Sequence, residues 1–162
     1  MESDTVKAAN AAIDASPYTV TSASARRSAR WFNLGNIAAF MPGILIAPVI
    51  FFTEPQHITM IMLLIALVVP PILWFGLSII IYIIARHNPN HRVGHYTQWA
   101  AYRFYGALGV VIPVGTFFGT DWKLWLISGA IIGLIIVPWS MVDLYRIQKE
   151  DWQDTQLEGN NS

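Results

Sequence analysis

Apolar residues in this chain gather into four long runs separated by short polar stretches. Crossing about 30 Å of hydrocarbon at 1.5 Å per residue takes about 20 mostly apolar residues in a helix. The first run, about Trp31 to Phe52, and the second, about Ile58 to Ala85, contain no charged side chain. The third reaches spanning length only when Gln98 to Arg103 are counted with the clean apolar stretch Phe104 to Phe118. The fourth, Leu124 to Val142, is uncharged and bracketed by Lys123 and Asp143. The pattern predicts an all-α integral membrane protein with four transmembrane helices over about 31–52, 58–85, 98–119 and 124–142.

Charge sets the orientation. Lys and Arg near span ends resist translocation and stay cytoplasmic. With the N-terminus inside, nine of the ten Lys and Arg residues fall on the cytoplasmic side, and only Lys123 lies outside. A re-entrant third segment would move Arg146 and Lys149 outside, so the count favours four crossings with both termini cytoplasmic. The external loops, about 53–57 and 119–122, leave no room for an outer domain. The expected location is a bacterial inner (plasma) membrane.

The flanks divide the rest. Residues 1–30 are polar and rich in Ala, Ser and Thr, and read as a disordered cytoplasmic arm. Residues 31–146 form the transmembrane domain, and 147–162 an acidic tail whose largest apolar group is Trp152. The Arg26-Arg27 pair before an apolar run resembles a secretory signal. That run is longer than a signal core and holds Pro42 and Pro48, so an uncleaved anchor fits better.

Within the first span, Gly35, Ala39, Gly43 and Ala47 recur every four residues, and Gly129 and Gly133 repeat the spacing in the fourth. Lipid removes the hydrophobic drive between helices, so close approach along small residues becomes a main source of packing. The stripe serves either the bundle itself or a contact with another subunit. Six prolines lie within the spans, and the adjacent Pro70 and Pro71 are expected to kink the second. They read as shape-setting, since few polar side chains accompany them.

Polar groups at membrane depth are few. Asn33 and Asn36 lie about one turn apart, and suit either a cross-helix hydrogen bond or the headgroup region. Arg103, with Tyr96, Trp99, Tyr102 and Tyr105 around it, reads as an anchor whose long side chain snorkels to the interface. Asp143 and Arg146 are spaced to pair within one helix. The one candidate metal cluster is His87, His91 and His95, spaced by four. Pro89 and Gly94 interrupt that spacing, and no acidic residue nearby could orient the rings, so a solvated basic loop against headgroups is the better reading.

Composition removes further classes. The chain has no cysteine, which excludes disulfides, thiolate metal sites and thiol nucleophiles. Its formal net charge of zero offers no broad field for nucleic acid. No nucleophile elbow, phosphate-binding loop, zinc-protease helix or paired intramembrane carboxylate occurs, so neither an enzyme nor a cofactor is expected. The reading that remains is an accessory or assembly subunit, contacting the bilayer and other membrane proteins or copies of itself. A recognition protein of the bacteriocin-immunity or plasmid-exclusion kind and a small oligomeric transporter are the alternatives.

Overall fold

The computed structural model describes residues 18–53, 56–119 and 121–157. In chain order it contains β1 (Tyr18–Val20), α1 (Ser22–Thr53), α2 (His57–Arg86), α3 (His91–Phe118), α4 (Trp122–Lys149) and β2 (Thr155–Leu157). The fold is all-helical apart from the pairing of the two short strands. Helices α1, α2 and α4 are long and apolar enough to cross a membrane. Helix α3 has the same 28-residue length as α4. Its first half, however, carries His91, Arg92, His95, Gln98 and Arg103, which dilutes its apolar character.

Local chemistry explains where the helices start. Thr21 caps α1, its hydroxyl accepting from the Ser24 amide at 3.3 Å. The Asn90 side chain accepts from the Arg92 amide at 3.1 Å at the head of α3. Asp121 accepts from the amides of Lys123 and Leu124 at 2.9 and 3.4 Å at the head of α4. Each cap satisfies donors that the helix itself leaves open. All six intraspan prolines lie inside helices. Helix α2 continues through Pro70 and Pro71 to Arg86.

Helix α1 is the centre of the bundle. It touches each of the other three, most extensively α4 and then α2. The inner aromatic core is built from Phe32 and Phe40 of α1, Trp74 of α2 and Phe104 of α3. Their rings meet edge to face, with centroids 5.3 Å apart for Phe32 and Trp74 and 5.9 Å for Phe40 and Phe104. Aromatic quadrupoles favour this geometry over flat stacking. Helix α2 is covered along one narrow stripe, buried at Leu67, Trp74, Ser78 and Ala85. Its remaining surface presents large aliphatic residues such as Ile65, Ile72, Leu73 and Ile80, which suit a lipid surround.

The flanks differ from the sequence-based expectation. The arm expected to be disordered through residue 30 is ordered from Tyr18 onward, while residues 1–17 lie outside the described part. Helix α1 begins at Ser22 because Ala25 and Ala29, one turn apart, present a flat face to Val20, Tyr96, Ile147 and Trp152. Strand β1 pairs antiparallel with β2, Tyr18 opposite Leu157 and Val20 opposite Thr155. Asp154 accepts from the Ser22 amide at 2.6 Å, placing a carboxylate at the positive end of α1 from 132 residues away. The tail expected to be solvated or to dock on a partner is therefore folded onto its own chain as far as Leu157. The pairing holds both flanks at one end of the bundle, together with the turn between α2 and α3.

Candidate functional site

A polar layer ties the four helices together toward the end that carries this clasp. Asn36 is fully buried on α1. Its amide donates to the Ala100 carbonyl of α3 at 3.1 Å, and its oxygen accepts from the Trp74 indole N–H of α2 at 2.9 Å. One side chain thus joins three helices, and Trp74 in turn lies directly over Gly35, where a Cβ would collide with its ring. Next to it, Ser78 and the Tyr105 hydroxyl link α2 to α3 at 3.0 Å.

The fourth helix joins through charge. Arg103 of α3 donates to the Asp143 carboxylate of α4 and, at 3.4 Å, to the oxygen of Asn33 on α1. The Asp143 side chain is only 6% exposed and that of Arg103 20% exposed. Arg103 is therefore turned toward a carboxylate and an amide on neighbouring helices, where the sequence suggested an anchor reaching outward. Asp143 likewise pairs across helices, and Arg146 makes no ion pair among the described residues. The signal for this was present in the chain: Arg103 and Asp143, of opposite sign, are the charges that reach furthest into the apolar runs of α3 and α4 from the same end.

The small residues are used inside the bundle. Gly43 sits against the Gly129 backbone, with the Gly129 oxygen 3.3 Å from where a Cβ would stand, and Gly133 against Ile44 and the Phe40 carbonyl. Ala39 and Ala47 are buried beside them. At the opposite end, Gly115 lies under Trp125. Nothing stands within 4 Å of a Cβ added at Gly76, Gly106, Gly109 or Gly129; Gly129 is half-buried and lines an apolar cavity, whereas the other three are exposed.

Two cavities border these layers. An apolar one of about 700 Å³ opens between α2 and α3, with Gly43 and Gly129 in its wall and Ser128 as its polar lining residue. The other, about 840 Å³, lies between α3 and α4 at the clasp end. Arg92, Arg103 and Arg146 line it together with Asp143, Glu150 and Asp151. Half-exposed Trp99 and Trp139 face it from the two helices.

The cavity wall is fastened to the folded tail. Arg92 donates to the Asp151 carbonyl at 2.6 Å and lies 3.8 Å from the Glu150 carboxylate, which also accepts from the Tyr96 hydroxyl. Burial and this hydrogen bond push the Tyr96 phenol above its ordinary range. Trp152 is buried beside Tyr96 and donates its indole N–H to the Ile147 carbonyl at 2.8 Å. His91 and His95 lie exposed on α3 and line the cavity. His87 falls in the turn before α3, one of its ring nitrogens 2.8 Å from the Ile83 carbonyl. Among the described residues no three histidine or acidic side chains converge as a metal-binding group would.

What the arrangement offers is a rigid, cross-tied bundle with a charge-balanced cavity at one end and unfilled small-residue surface on two helices. Compared with family models, with curated proteins and with solved structures, the chain matches none.

Proposed function

We propose that this protein is a non-catalytic accessory or assembly subunit, which crosses a bacterial inner membrane four times and binds other membrane proteins through its outer helix surfaces. Helix α3 is the third crossing and both chain flanks are cytoplasmic. The clasp between β1 and β2 supports an even number of crossings, because it holds both flanks at one end. The excess of Lys and Arg on that end gives the direction.

One observation carries the binding reading. Gly35, Gly43, Gly115 and Gly133 each have a neighbour where a Cβ would stand, and half-buried Gly129 opens onto the apolar cavity, whereas Gly76, Gly106 and Gly109 are exposed and face open space. An unpacked glycine within an apolar helix costs roughly 1 kcal/mol of helix propensity relative to Ala. A return comes when another helix approaches the bare backbone, since close van der Waals contact is a main source of association in lipid. Gly106 and Gly109 lie three apart on α3, the right spacing to receive one partner helix.

The test compares a surface glycine with an internal one. Gly109→Leu should leave the bundle folded and release partners that co-purify in mild detergent, whereas Gly133→Leu should damage the bundle itself. A Gly109→Leu protein that keeps every partner at wild-type yield would refute the assignment of this surface.

A further inference from the structure

The 840 Å³ cavity at the clasp end has a charge pattern that the proposed association does not use. Three guanidiniums, from Arg92, Arg103 and Arg146, face three carboxylates, from Asp143, Glu150 and Asp151. Arg103 is committed to Asp143, and Arg92 is shared between Glu150 and the Asp151 carbonyl. Arg146 is left with no ion pair among the described residues, and the Asp151 side chain likewise. The wall thus presents one uncommitted cation and one uncommitted anion, with no net charge from its Arg, Asp and Glu residues.

Depth is the second consideration, and it rests on α4 crossing the bilayer. Helix α4 runs roughly 31 Å from Trp122 to Asp143 at 1.5 Å per residue, about the full thickness of the hydrocarbon layer. The cavity therefore opens where acyl chains give way to headgroups. Trp99 and Trp139, 53% and 52% exposed, flank it as residues of an interfacial belt do. One and two turns from Trp139 toward the bilayer, exposed Ile135 and Ile131 continue the α4 surface as an apolar track.

We infer that this cavity binds the headgroup of a zwitterionic aminophospholipid. Its phosphate is held by Arg146, its primary ammonium is directed to Asp151 and Glu150, and its acyl chains lie along α4. Guanidinium is suited to phosphate oxygens through paired N–H donors. A primary ammonium donates three hydrogen bonds and also binds an aromatic face, as Trp99 and Trp139 provide. A trimethylated ammonium lacks those donors. A purely anionic headgroup would supply nothing to Asp151.

The experiment measures lipid retained by the full-length protein after extraction from vesicles of phosphatidylethanolamine, phosphatidylcholine or phosphatidylglycerol in equal parts. The account expects phosphatidylethanolamine to be retained in a fixed molar ratio and selectively. Arg146→Gln should lower that retention about tenfold, the size of a lost charge-assisted contact. Arg146 and Asp151 are both exposed, so replacing either leaves the fold intact, and circular dichroism of each variant verifies this. Asp151→Asn should reduce the preference for phosphatidylethanolamine over phosphatidylcholine. Equal retention of the three lipids, a preference for phosphatidylglycerol, or wild-type retention by Arg146→Gln would overturn the inference. Soluble phosphoethanolamine binding as tightly as the lipid would overturn the lipid as the source of the phosphate.

Discussion

Replacing Asn36 by Leu probes the polar layer where it is most concentrated. The change keeps four side-chain heavy atoms in the same branched arrangement and removes two cross-helix hydrogen bonds, one to the Ala100 carbonyl and one from the Trp74 indole. In membranes such bonds average about 0.6 kcal/mol and reach about 1.7. The Ala100 carbonyl keeps its place in the α3 ladder, but the buried indole N–H loses its acceptor, a loss of about 1–3 kcal/mol for a neutral donor. Together the change should cost about 2–4 kcal/mol. Reversible unfolding in mixed micelles, followed by circular dichroism, measures it. The companion variant Trp74→Phe removes the orphaned donor, so the two changes combined should cost at least about 1 kcal/mol less than their sum. A cost below about 0.5 kcal/mol for Asn36→Leu, or strict additivity in the cycle, would refute the claim that this amide holds three helices together.

Other consequences are as definite. Asp143→Ala strands the Arg103 guanidinium, and breaking a buried pair by removing one partner should cost about 3–5 kcal/mol; the double change Arg103→Met with Asp143→Leu should recover most of it in the same unfolding assay. Trp152→Ala empties a buried site and should release the tail, seen as hydrogen exchange rising at the amides of β1 and β2 while the centre of α1 stays protected. The Asp154 carboxyl is held below its ordinary range by the Ser22 amide. A depressed carboxylate contributes fully above the unfolded value of about 4 and loses its effect as pH falls through the folded value, so protection at Ser22, corrected for intrinsic exchange, should drop on acidification there. The raised Tyr96 phenol works oppositely: its contribution is complete below about pH 10 and fades as pH rises above that, so ultraviolet titration should place one tyrosine later than the others.

Much of the helical framework was legible because lipid imposes a simple rule: backbone groups must be satisfied within the helix, so length and apolarity suffice to mark a span. The uncharged runs from Trp31, Ile58 and Leu124 fall inside α1, α2 and α4. The third run is diluted in sequence by Gln98 and Arg103, and among the described residues α3 is not one of the three helices long and apolar enough to cross. What escaped the sequence was contact between distant residues. Nothing near Ser22 marks it as a partner of Asp154, and a polar arm beside an acidic tail reads as two solvated ends until Trp152 is seen in one buried cluster with Ala25 and Ala29. The Arg103 and Asp143 pair was within reach, because opposite charges near the same end of two apolar helices have few other partners. The closer spacing of Asp143 to Arg146 drew attention to the helix face instead of the helix pair. Gly106 and Gly109 were passed over for a related reason: a small-residue pattern says that backbones can approach, and only the fold says which glycines already have a neighbour.

The most direct test of the central claim is the mass and composition of the tagged protein extracted from its native membrane in a mild detergent. The account predicts discrete co-purifying membrane proteins in a fixed ratio to this chain. A clean monomer, or an oligomer of this chain alone, would contradict it.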